Sequence, residues 1–267
     1  MTKSIWIATI VIGAAWLGLA AGCSEPPNRP ATQISAKPAT QLPPPPASQP
    51  ALNLGKLNLG EEDSNAAHPI KFFDSTAGAH HIVYLVDRSG SMAPTFERVR
   101  IEILKSISIL RPEQDFTIIL FGDGNFIEGP QKKIVLAKLE NKVAAVNFLR
   151  DITASGPTTV LPALKRAFQV LKFADPTKPG RVIYLLSDGD FAGIAGGSQY
   201  KAADGRVLNG NEAVIQWLRE NNLKDEKNGR VRVNTILYLN KDEDAKKVMD
   251  TIAKESGGRF KLITTDE

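Results

Sequence analysis

The sequence predicts an α/β domain over residues 68–267: a doubly wound, mostly parallel central sheet with helices on both faces and one short antiparallel edge strand. Three observations carry that expectation. Residues 82–86 and 182–186 are apolar or aromatic at every position, as strands covered on both faces must be. The stretches between such runs switch to helical spacing. Strand and helix signals also alternate along the chain, which is the pattern of helices packed on both sides of a parallel sheet.

Taken in order, the strand at residues 82–86 is followed by Phe96, Val99, Ile103, Ile107 and Leu110 at three- and four-residue steps, until Pro112 stops the helix. Residues 116–121 form a third buried strand. The turn Gly122, Asp123, Gly124 then leads into the short edge strand at 125–128. Helices follow at 143–149 and 160–171, then the strand at 182–186, a helix at 213–218 and a strand at 231–239. Ala245, Val248, Met249, Ile252 and Ala253 line one face of a last helix, which Gly257 and Gly258 end before a strand at 260–263. No internal repeat is evident.

Two different segments precede this domain. Residues 1–23 carry Lys3 and then 17 apolar or small positions, 5–21, interrupted only by Thr9 among polar types. At about 1.5 Å per helical residue this is at the short limit for spanning a bilayer and fits the apolar region of a signal peptide. The run Leu19, Ala20, Ala21, Gly22, Cys23 resembles the lipobox of bacterial lipoproteins. That resemblance implies cleavage before Cys23, lipidation of its sulfur and a chain held in the bacterial cell envelope as a lipid-anchored membrane protein. Ser24 after the cysteine favours the outer membrane in a diderm bacterium. Residues 24–67 are rich in proline, alanine, glutamine and serine, and read as a disordered, extended spacer between anchor and domain.

Composition narrows the function. With 42% hydrophobic and 23% charged residues the chain is neither collagen-like, wholly disordered nor polytopic. Its single cysteine excludes an intramolecular disulfide and a cysteine zinc cluster. The net charge of +4 is scattered, and pairs such as Lys132 with Lys133 are its densest groupings. This describes a solvated surface, and no nucleic-acid partner is expected.

Ligands of open α/β sheets bind beyond the carboxyl ends of the strands, where strand order reverses. Asp87, Ser89 and Ser91 alternate directly after the first central strand, and Asp188 follows the strand at 182–186. Two carboxylates and two hydroxyls at one edge make an oxygen-only donor set. Such a set suits a hard cation, magnesium above all, with manganese or calcium as alternatives. The sequence Asp87-x-Ser89-x-Ser91, Thr158 in a glycine-containing loop before a later helix, and Asp188 after the next buried strand together resemble the von Willebrand factor A domain, a Rossmann-like fold. The similarity covers about residues 69–267. Carried over position by position, the resemblance implies a metal ion-dependent adhesion site built from Asp87, Ser89, Ser91, Thr158 and Asp188. It further implies protein binding, with an Asp or Glu carboxylate of the partner completing the coordination of the ion. Relatives often have glycine where Pro157 stands, and they usually add a final helix that moves when affinity switches. This sequence reaches Glu267 without one, so such switching is not expected.

Two other readings stand beside protein binding: a metal-assisted hydrolase or phosphoryl-transfer enzyme, and a metal-independent interaction scaffold. The enzyme needs a positioned base. His80 and His81 begin the strand that ends at Asp87, about 20 Å away at roughly 3.3 Å per residue, and read as strand-edge residues, with His68 at the end of the spacer. Asp123 and Asp190 are explained by turn chemistry. No phosphate loop or His-Glu-x-x-His helix occurs, so an enzyme is not expected.

Overall fold

A computed structural model describes residues 68–189, 191, 199–222 and 229–264. In chain order the elements are β1 (Pro69–Phe72), β2 (Ser75–Gly78), β3 (His81–Asp87), α1 (Phe96–Ser108), β4 (Asp115–Gly122), β5 (Asn125–Gly129), β6 (Val135–Leu136), α2 (Leu139–Arg150), α3 (Val160–Leu171), β7 (Arg181–Ser187), β8 (Tyr200–Lys201), β9 (Val207–Leu208), α4 (Gly210–Asn221), β10 (Arg232–Tyr238), α5 (Glu243–Ser256) and β11 (Phe260–Ile263). The residues expected to form the signal peptide and spacer, with Cys23 among them, lie outside the described residues, as does Asp190.

The main sheet has seven strands in the order β11-β10-β7-β3-β4-β5, with β6 paired to the far end of β4. Strands β11, β10, β7, β3 and β4 run parallel. The expectation of a single antiparallel strand is corrected, because β5 and β6 both run antiparallel to β4. The two-residue β6 is too short to show any periodicity in sequence.

The unbroken apolar character of the central strands follows from their position. On β3, Val83 and Leu85 enter a core shared with α3, α4 and α5. Ile82, Tyr84 and Val86 point the other way, into a core with α1, α2 and the β1–β2 hairpin. That hairpin goes beyond the sequence expectation. Its strands are four residues each, with Ile70 and Phe72 buried in alternation, and Phe72 meets Tyr84 and Tyr184 edge-on at ring distances of 5.4 and 5.6 Å.

Helix ends follow local chemistry. Asp242 caps α5 by accepting the Ala245 N–H at 2.8 Å, and Gly257 ends it in the left-handed conformation at φ 74°. Helix α2 starts four residues before its expected first residue, and Leu139, Val143 and Val146 remain largely exposed on it. An apolar count therefore misplaces its beginning.

The histidines also depart from expectation. His68, His80 and His81 are all buried, so His68 belongs to the fold and the other two are interior residues. The His81 ring nitrogens lie 2.8 Å from Asp115 Oδ1 and 2.9 Å from the Asp175 carbonyl oxygen, joining the starts of β3 and β4 to the segment before β7.

Strand β3 lies between β4 and β7, which are reached by successive connections on opposite sides. Strand order therefore reverses between β3 and β7, the point beyond whose carboxyl ends open α/β sheets form their ligand crevice. All five expected metal-site residues lie at that edge or on loops leading to it.

Candidate functional site

Asp87 is the last residue of β3 and is fully buried. Parallel pairing sets Val86 beside Leu186, which brings Asp87 next to Ser187 at the end of β7. One carboxylate oxygen accepts the Ser89 N–H at 2.8 Å, and the other accepts the Ser187 hydroxyl at 2.7 Å. Ser187 Oγ in turn accepts the Gly189 N–H at 3.0 Å. The carboxylate is thus fixed in orientation by neutral donors. Burial pushes the Asp87 carboxyl up to about 6, the bonds from Ser187 and Ser89 pull it down, and the charge of Asp188 pushes it further up. The influence of Asp188 is the smallest of these.

Ser89 and Ser91 follow on a tight turn that leads into a short 3₁₀ segment, Gly90–Met92. Ser89 is buried and Ser91 exposed, with their hydroxyl oxygens 3.1 Å apart. Both face one point beside Asp87, as alternate residues leaving a strand can. Asp188, half-exposed directly after β7, is held through its backbone: its carbonyl accepts the Asn240 amide at 2.5 Å.

Thr158 arrives from a different part of the chain. The loop before α3 is stitched to the Asp87 loop by Gly90 N–H donating to Gly156 O at 2.9 Å and Ser155 N–H donating to Arg88 O at 2.7 Å. Arg88 N–H donates to Phe121 O at 2.8 Å, and the Arg88 guanidinium donates to Thr153 O at 3.2 Å. Three loops therefore form one rim. At Gly156, φ is +69° and a Cβ would lie 2.4 Å from the Asp123 Cα, so no other residue fits there without moving the turn after β4. Gly156 takes the left-handed conformation itself, which leaves Pro157 with the negative φ that its ring requires. Thr158 follows, half-buried, and among the described residues its hydroxyl makes no hydrogen bond.

The structure thus brings Asp87, Ser89, Ser91 and Asp188 together around one crevice and carries Thr158 to its rim. Their donor set is two carboxylates and three hydroxyls, all oxygen, which fits a hard divalent ion. Among the described residues no group of three or more His, Cys, Asp or Glu side chains is gathered for a metal, so any ion here depends on the hydroxyls as well as the carboxylates. Asp123 sits exposed on the turn between β4 and β5 at φ 57°, in keeping with turn chemistry. Sequence reasoning missed Ser187, Arg88 and Asn240. Ser187 stands directly before Asp188 in the chain, but its role depends on β7 lying beside β3.

Comparison with known proteins gives a consistent picture. Residues 82–191 match the family model of the von Willebrand factor type A domain. The inter-alpha-trypsin inhibitor heavy chain H4 of Sus scrofa is 28% identical over 116 residues, and inter-alpha-trypsin inhibitor heavy chain 4 of Mus musculus is 31% identical over 117. Each match covers 41% of this chain and only 12% of the relative's length. Among solved structures, the pilus adhesin SpaC from Lactobacillus rhamnosus GG in its open conformation aligns at a TM-score of 0.54 and 16% identity, covering 75% of this chain and 29% of that one. A von Willebrand factor type A protein from Catenulispora acidiphila aligns at 0.50 and 15% identity, covering 71% and 40%. The structural matches bear on the fold alone. With the sequence match over residues 82–191 and the α/β, Rossmann-like sheet around it, this chain is similar to von Willebrand factor type A domains over that stretch and shares their fold.

Proposed function

We propose that the domain binds a protein partner through a magnesium ion held by Asp87, Ser89, Ser91, Thr158 and Asp188, with an Asp or Glu carboxylate of the partner completing the coordination. The observation that carries this reading is Asp87, a buried carboxylate held in place by hydroxyl and N–H donors, with a second carboxylate beside it and no cationic partner among the described residues. A divalent ion would relieve that repulsion. With its charge balanced by two carboxylates, the ion does not repel a third, and a charge-assisted contact to an incoming acid becomes favourable. The domain type, shared with an adhesin and with inhibitor heavy chains, supports binding rather than turnover. The buried histidines lie at the opposite ends of the strands and serve the core, so they supply no base at the crevice. The N-terminal segment would hold this domain at a membrane through a lipid on Cys23.

Titration calorimetry of the protein with magnesium tests this. Saturable binding to one site is expected, weakened at least about tenfold by Thr158→Ala or Asp188→Asn. Binding unchanged in both variants would overturn the reading.

A further inference from the structure

A second cleft lies at the opposite edge of the sheet, between the C-terminal ends of α3 and α4 and the starts of β7 and β10. Its volume is about 110 Å³, and Lys165, Phe168, Lys172, Arg181, Trp217 and Asn221 are among the residues that line it. Phe168 and Trp217 form its apolar wall, ring against edge at 5.1 Å, each with 8% of its surface exposed. Three cations stand around that wall, and among the described residues no acidic side chain lines the cleft. Arg181 Nε is buried and, among the described residues, has no hydrogen-bond partner. A buried unpaired N–H costs on the order of 1–3 kcal/mol.

Cations near the ends of helices are ordinary, since they offset the partial negative charge of the last carbonyls. Among the described residues the magnitudes leave a surplus. Two helix ends contribute about half a negative charge each, against three full positive charges. An apolar slot with a few convergent polar groups is also the usual form of a small-ligand site.

We propose that this cleft binds a carboxylate carried on a flat apolar group, with the ring against Trp217 and Phe168 and the acid paired with Arg181 and Lys172. The site is independent of the magnesium crevice, which lies beyond the other end of β7. A free aryl acid and the C-terminal carboxylate of a partner ending in an aromatic residue share this chemistry.

The test uses the full chain with Trp6→Phe and Trp16→Phe, which leaves Trp217 as the sole tryptophan. Its emission is followed in EDTA, so that carboxylate binding at a metal cannot contribute. Titration with 3-phenylpropionate should give a saturable change, about tenfold weaker with the neutral 3-phenylpropionamide. Lys172→Gln, at an exposed position, should bring the acid to the level of the amide without altering the melting temperature, and Arg181→Gln should do the same. A peptide ending in phenylalanine with a free carboxylate distinguishes the sources: tighter binding than the small acid assigns the site to a partner's terminus, and weaker binding assigns it to a free ligand. Equal responses to acid and amide, or no saturation, would overturn the proposal.

Discussion

At Asp87 the demands of stability and of binding oppose each other. The residue gives the metal-free fold a buried carboxylate that burial makes harder to ionise. Asp87→Asn keeps the shape, and its amide can still satisfy both serine neighbours. It should abolish magnesium binding while leaving the melting temperature of the metal-free protein near neutral pH unchanged or raised, as calorimetry and thermal melts would show. The pH dependence follows from the same group. Its carboxyl is raised from 3.8 to about 6 in the folded chain, so the native state holds the proton more tightly than the unfolded state does. Without metal, Asp87 therefore costs stability progressively as pH rises from about 4 to about 6, by up to about 1.4 kcal/mol for each pH unit crossed. Magnesium competes with that proton, and its affinity should fall by up to about tenfold per pH unit below about 6. An affinity that is flat across that range would contradict the role given to Asp87. Asp87, Ser89, Ser91 and Asp188 were legible from their placement after buried strands, and Thr158 from the family resemblance alone. Ser187 was not, because its bond to Asp87 depends on the pairing of β3 with β7, and one strand's sequence does not state its neighbour.

Among the elements, the loop before α3 is where the crevice is most exposed to a single substitution. Gly156→Ala places a methyl group against the Asp123 backbone at a φ that alanine disfavours. We expect a loss of stability of about 1–3 kcal/mol and a large loss of magnesium affinity, since Thr158 moves with the loop. Denaturant unfolding and calorimetry on the same variant measure both. The contrasting case is Asp115→Ala at the start of β4, which leaves the His81 ring without its carboxylate partner. It should cost about 1–3 kcal/mol and leave magnesium affinity within error, because it acts at the far edge of the sheet. The parallel strands and most helices were readable because burial on two faces or one leaves a clear apolar pattern. The β1–β2 hairpin was missed because four-residue strands carry too few alternations. The start of α2 was misplaced because an exposed Leu139 and Val143 break the usual link between apolar character and burial.

For the molecule as a whole, the proposed arrangement is a binding domain at the end of a proline-rich spacer, tethered through a lipid on Cys23. Cys23→Ala should move the protein out of the membrane fraction as an unprocessed or soluble form, whereas unchanged fractionation and mature size would remove the tether from this picture. No described helix is long and apolar enough to cross a membrane, and residues 1–67 lie outside the described residues. What the domain recognises turns on whether side chains from three loops close around one ion. Anomalous diffraction from crystals soaked in manganese, standing in for magnesium, examines that most directly. A single strong peak is expected beyond the ends of β3 and β7, at about 2.1–2.2 Å from the Ser89 and Ser91 hydroxyl oxygens, with Asp87, Thr158 and Asp188 bound directly or through water. Absence of a peak there in well-ordered crystals, with the loops as they stand, would rule out a metal site built from these residues.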